Sequence, residues 1–157
     1  MSLSEHRYAL AVHWTGNLGE GTTSYRGYSR DHDVIIPGLP VLQGSADPTF
    51  HGDRERYNPE QLLLAALAQC HLLSYLHVAV KHGVVVTAYR DEASGLMRLN
   101  RDGSGQFERV TLRPRVTVAD AGHVELAARL HHEANQVCFI ARSVNFPVEH
   151  EPETVLA

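Results

Sequence analysis

Along the chain an alternating pattern gives way to one long apolar run and then returns. From 6 to 15, Tyr8, Leu10, Val12 and Trp14 share one face and Arg7, Ala9, Ala11 and His13 the other, the period-two signature of a half-buried strand. Asn17-Leu-Gly-Glu-Gly21 reads as a turn, residues 22–28 as a second strand and 33–36 as a third, before Pro37-Gly38 breaks the chain. Residues 44–57 form a polar loop carrying Asp47, Asp53, Arg54, Glu55 and Arg56, long enough to be functional or to cover something.

At Asn58-Pro59-Glu60-Gln61 the character changes. An Asn N-cap, a proline in the first helical position, an acid in the first turn and a Gln placed for a capping box predict a helix start. No Asp, Glu, Lys or Arg occurs from 61 to 80, and Gly83 supplies the stop after Lys81-His82. A run this long raises a membrane span. Gln61, Gln69, His71, Ser74, Tyr75 and His77 argue against one, because lipid would leave their polar groups to be satisfied inside the bilayer. A helix apolar nearly all round is expected to be buried on all sides, which a domain of 157 residues achieves most simply with a second subunit.

Residues 84–92, 96–101 and 106–118, with a tight turn at Asp102-Gly-Ser-Gly105, predict a three-stranded antiparallel meander interrupted at Pro114. Asp120 is placed to cap a helix over 121–136 whose apolar side is Val124, Ala127, Ala128, Leu130 and Ala134. Residues 143–149 predict a final strand, at an edge because of Pro147. The layout is α+β. With no internal repeat or linker, residues 1–157 read as a single domain.

Composition narrows the function. Apolar residues make up 43% and charged residues 20% of the chain, which excludes disordered and collagen-like classes. A net charge of −4 leaves no basic excess for nucleic acid or an anionic membrane, and neither partner is expected. Two cysteines cannot form a secreted disulfide framework. The first 13 residues carry Glu5, His6 and Arg7 and no apolar core, so no secretory leader is expected and the expected setting is the reducing cytoplasm. Cys70 and Cys138 are then either inert core residues or a redox pair. The 11 histidines call for a metal check. His71 and His77 are six apart, His131 and His132 are adjacent, and no CxxC or HExxH occurs, so no metal or other cofactor is expected unless Cys70, Cys138 and a histidine converge. His71, Tyr75 and His77 are expected to be hydrogen-bonded core or interface residues.

The string from Asn58 through Pro59-Glu60-Gln61-Leu62 to Cys70 closely resembles the first cysteine signature of the OsmC/Ohr family of thiol peroxidases, in which a Pro-Glu-Glu/Gln-Leu helix start is followed, ten residues after the Glu, by the cysteine. Cys138, 68 residues later, is similar to the family's second cysteine. Tyr28-Ser-Arg-Asp-His32, Ser45-Ala-Asp-Pro48 and Val144-Asn-Phe-Pro-Val148 resemble an OsmC-like branch rather than Ohr proper. The resemblance implies an intertwined homodimer, with antiparallel sheets from both chains wrapped around long central helices and active sites at the interface. It implies a cytoplasmic enzyme that reduces organic hydroperoxides, with Cys70 as peroxidatic and Cys138 as resolving cysteine, and with a dithiol reductant of lipoyl type. Glu60 matches the glutamate that holds a catalytic arginine. For that arginine the chain offers Arg26, Arg30, Arg54 and Arg56; Arg30 is favoured, and Arg26 would share its strand face if residues 22–28 are regular. Arg54 and Arg56 are expected in a solvated loop. A non-catalytic alternative keeps the fold and binds an apolar ligand at the dimer interface.

Overall fold

The computed structural model describes residues 4–157. The start of the N-terminal reading, residues 1–3, lies outside the described residues. The chain divides into two compact units, one ending at Leu62 and one from Leu63 to Ala157.

The first unit holds an antiparallel sheet of β1 (Ala11–Trp14), β2 (His32–Ile35) and β3 (Leu42–Gly44) in that order. Its register pairs Trp14 with His32 and His32 with Gly44. A Cβ on Gly44 would stand 2.3 Å from the Nε2 end of the His32 side chain, so a larger residue there would displace that imidazole. The predicted alternation survives only over β1, and its apolar face is bare: Tyr8 is 91% and Val12 58% exposed. The strand predicted over 22–28 does not form; that segment is a chain of turns. Its polar backbone finds local partners instead. Asn17 Oδ1 accepts from the amides of Gly19 and Gly21, the Gly27 amide donates to Ser24, and the Arg30 guanidinium donates to the carbonyls of Tyr25 and Tyr28. Arg26 and Arg30 therefore share no strand face.

Helix α1 (Pro59–Lys81) starts where the sequence places it. The capping box is reciprocal: Asn58 Oδ1 accepts from the Gln61 amide at 2.8 Å, and Gln61 Oε1 accepts from the Asn58 amide at 3.1 Å. Gly83, at φ 69°, takes the left-handed position just past the end. By length and composition α1 could cross a membrane. In the second unit its Leu67, His71, Tyr75 and Val78 stripe packs into the core. The expectation of burial all round does not hold within one chain, since Leu73 and Val80 on the other side are 65% and 77% exposed.

The strands after α1 correct the predicted meander. β4 (Val86–Asp91) pairs with β7 (Pro114–Val118), and β5 (Ser94–Leu99) pairs with β6 (Gly105–Leu112), so one long hairpin is bent across two sheets. Arg113 stitches the bend: its amide donates to Asp91, and its side chain donates to Glu151 and Ser94. Pro114 opens β7, where its missing N–H is tolerated. After α2 (Val124–Val137) the chain returns as β8 (Val148–His150), an edge strand parallel to β6. β9 (Glu153–Leu156), parallel to β7, is not anticipated by the sequence pattern. Asp120 caps as expected, accepting from the Gly122 amide at the 3-10 turn that leads into α2. The core of this unit gathers Tyr75, Val78, Val116, Val118, Ala127 and Leu130, with Leu67, Val110 and Leu112 in a second cluster.

Candidate active site

The two cysteines, 68 residues apart, meet in the second unit, and both are reduced. Cys70 projects from the middle of α1 and is partly exposed; Cys138 is the residue that ends α2 and is 1% exposed. Their environments differ in a way that matters for chemistry. Burial pushes the Cys138 thiol up to about 11; the amides of Ala141 and Ile140 oppose that rise and the neighbouring Cys70 thiol adds to it. Cys138 is therefore a protonated thiol at neutral pH. Cys70 lines a cavity of about 470 Å³ whose walls are mostly apolar, Leu73, Val78, Val137 and Phe139, with Ser74, His77 and Lys81 as its polar members. The access, the apolar lining and the adjacent second thiol suit attack by Cys70 on a hydrophobic substrate followed by condensation with Cys138.

In the first unit Arg30 and Glu60 line one cavity of about 280 Å³, with Trp14, Tyr28, His32 and Asp47. The Arg30 guanidinium lies 4.1 Å from the Tyr28 ring and 4.6 Å from the Tyr25 ring, and it donates to both backbone carbonyls. Trp14 stands edge-on to Tyr28, its indole N–H given to the Ser29 carbonyl at 2.8 Å. Among the described residues neither Arg30 nor Glu60 forms an ion pair, so they share a pocket without being bonded to each other. Arg56 is not the solvated residue expected. It is partly buried between Asp31 at 3.6 Å and Asp53 at 3.7 Å. Arg54 is exposed, and Arg26 is exposed on the rim of a separate cavity. Of the four arginines, Arg30 alone combines a held geometry with freedom from a carboxylate.

Sequence reasoning missed a buried histidine stack. His71 Nε2 and His131 Nδ1 are hydrogen-bonded at 3.0 Å, His131 stacks on Tyr75, and the His71 and His150 ring centroids are 4.3 Å apart. Tyr75 donates to the Ala127 carbonyl. Burial, with His150 and His131 adding to it, pushes His71 down to about 3; burial, with His150 adding, pushes His131 down to about 4. A signal was present: His71 and Tyr75 are an i, i+4 pair on α1, and His131 follows Leu130 and Ala127 on the inner side of α2. Among the described residues no three His, Cys, Asp or Glu side chains are grouped to hold a metal ion.

Residues 51–153 match the OsmC-like protein family. An OsmC-like protein of unknown function from Vibrio cholerae is 30% identical, superposing over 94% of this chain and 99% of its own with a TM-score of 0.84. The curated Bacillus subtilis protein YmaD is 24% identical over 154 residues, 96% of this chain and 95% of its own length. An organic hydroperoxide resistance protein OsmC from Legionella pneumophila shares the fold, with 18% identity over 98% of this chain and 99% of its own and a TM-score of 0.72.

Proposed function

The chain belongs to the OsmC-like protein family, and from that premise we propose that it is a cytoplasmic, homodimeric thiol peroxidase acting on organic hydroperoxides. The observation that carries this reading is the encounter of a partly exposed Cys70, facing an apolar cavity, with a buried and protonated Cys138. The Cys70 thiolate attacks the terminal peroxide oxygen and the O–O bond breaks. The leaving alkoxide takes a proton and departs as the alcohol, and Cys70 is left as sulfenic acid. The Cys138 thiol then attacks the sulfenic sulfur, water leaves and a Cys70–Cys138 disulfide forms. A dithiol of lipoyl type reduces it, restoring both thiols and becoming a cyclic disulfide. No bound cofactor takes part.

Arg30 enters as the cation that favours the thiolate and holds the peroxide, and Glu60 as the carboxylate that holds the arginine in place. A guanidinium stays charged when partly buried and donates in a fixed fork. Glu60 and Cys70 sit on one unbroken helix, ten residues and roughly 15 Å apart along its axis. A site that uses both is therefore assembled most simply from two chains. The bare apolar face of β1 and the exposed side of α1 support a dimer that covers them.

The test is consumption of cumene hydroperoxide and hydrogen peroxide by the reduced protein with dihydrolipoamide. We expect faster turnover of the organic peroxide, and none above background in Cys70→Ser. Cys138→Ser should still complete one turnover and leave a trappable sulfenic acid. Unchanged turnover in Cys70→Ser would sink the mechanism. Absence of turnover in the reduced, dimeric wild type would favour the ligand-binding alternative.

A further inference from the structure

The histidine stack ends at a second cavity in the Leu63–Ala157 unit, about 570 Å³, which the thiol chemistry does not use. Arg129, His131, His132 and Asn135 of α2 and His150 of β8 line it. His131 is 3% exposed. Its Nδ1 faces His71, so its Nε2 is the opposite edge of the ring, and among the described residues that nitrogen has no partner. His150 Nε2 and Asn135 Oδ1 are also buried and without a partner among the described residues; the Asn135 amide meets an acceptor only if turned to present its NH2. Such atoms cost free energy unless something bonds them.

Proton counting fixes what His131 offers. Burial keeps both imidazoles of the His71–His131 pair neutral at ordinary pH, so the pair carries two ring protons. One lies in the hydrogen bond. The other is on His131 Nε2 at the cavity or on His71 Nδ1, which is also unpaired and sits 1% exposed in the core. A buried N–H donor with no acceptor is the costlier arrangement. The cavity end is where an acceptor can reach the proton. His131 then presents N–H outward while His71 Nδ1 keeps only a lone pair.

We propose that this cavity binds a small oxyanion, a carboxylate or a phosphate, which accepts the His131 Nε2–H and lies against the Arg129 guanidinium. Among the described residues no acidic side chain lines the cavity. Glu125 is 4.0 Å from Arg129 on the exposed side of α2, while Glu149 and Glu151, which flank His150, are turned to Thr111 and Arg113. A metal cation fits the site less well. Arg129 repels it, no carboxylate offsets its charge, and the imidazoles are not grouped to ligate one ion.

Histidine side-chain NMR of the reduced full chain tests this, with inorganic phosphate and acetate titrated separately against sodium chloride at matched ionic strength. We expect one or both anions to shift the His131 resonances saturably where chloride does not; which of them does so identifies the source of the oxyanion. Arg129→Gln, a change at an exposed position, should weaken binding about tenfold, the scale of one charge-assisted hydrogen bond. His131→Phe should abolish it. The proposal is overturned if neither anion exceeds chloride, if Arg129→Gln binds as wild type, or if Zn²⁺ alone shifts the His131, His132 and His150 resonances.

Discussion

Among the described residues, every fully buried apolar side chain lies in the unit from Leu63 to Ala157, and none lies in the unit ending at Leu62. The first unit is held by a small sheet, by side chains bonded to turns and by an arginine clamped between two tyrosines and two carbonyls. Its aromatic and aliphatic residues, Tyr8, Leu10, Val12, Trp14 and Tyr25, face outward. The second unit closes its own core and leaves Cys70, partly exposed, at the edge of it. The difference separates two ways of placing chemistry. A thiol pair needs a rigid scaffold, because condensation demands two sulfurs at bonding range. A guanidinium pocket needs only local clamps, and its apolar surroundings stay exposed.

The comparison breaks most plainly on truncation of apolar side chains. Leu67→Ala empties a fully buried position and should cost about 2–5 kcal/mol in urea unfolding. Val12→Ala, at a position 58% exposed, should leave the stability of a single chain within about 0.5 kcal/mol while weakening self-association in sedimentation velocity. Equal losses in both variants would erase the distinction between the units.

Next in size is the arginine. Arg30→Gln should slow peroxide reduction about 100-fold, the effect of removing one preorganised donor, and should slow iodoacetamide alkylation of Cys70 at neutral pH. Arg56→Gln is the matched control. It breaks contacts to Asp31 and Asp53 and should lower stability without changing thiol reactivity. The reverse pattern would transfer the catalytic role to Arg56.

Acid should act on the second unit. His71 and His131, pushed down by burial to about 3 and about 4 from an ordinary 6.5, are neutral in the fold. As pH falls through 6.5 the unfolded chain takes up these protons first. Each costs the fold about 1.4 kcal/mol per pH unit until the folded-state value is reached. The urea midpoint should be level above neutral pH and fall steadily below it. His131→Gln should flatten that fall, and an identical slope in the variant would place the acid sensitivity elsewhere.

How much of this was legible follows from which interactions are local. The capping box at Asn58 and Gln61, the stop at Gly83 and the cap at Asp120 are written in neighbouring residues and appear where the sequence puts them. Strand partners are not local. Alternation marks residues 84–118 as strands but does not say that the ribbon bends at Arg113 and pairs as β4 with β7 and β5 with β6. Residues 22–28 have strand-like composition, yet Asn17 and Arg30, outside the segment, bond the backbone around and within it. The meeting of Cys70 with Cys138 came from family resemblance, because spacing alone cannot bring together residues 68 apart. The His71–His131–His150 stack joins three elements, and only within-helix clues pointed to it, the His71 and Tyr75 pair on α1 and the place of His131 beside Leu130 on α2.

The smallest effect concerns the start of the helix that carries both Glu60 and Cys70. Asn58 is 6% exposed and satisfies the Gln61 amide, which has no partner inside the helix. Asn58→Ala removes that acceptor and the reciprocal geometry with it, and should cost about 0.5–2 kcal/mol. Asn58→Ser keeps an acceptor oxygen and should recover most of the loss. Far-ultraviolet circular dichroism follows α1 and α2, while fluorescence of Trp14, the only tryptophan in the chain, follows the sheet of the first unit. If the cap serves the helix alone, Asn58→Ala lowers the circular dichroism midpoint and leaves the emission maximum of the native state unchanged. A shift in native Trp14 emission would instead make the capping box part of the arginine pocket, whose lining includes both Trp14 and Glu60.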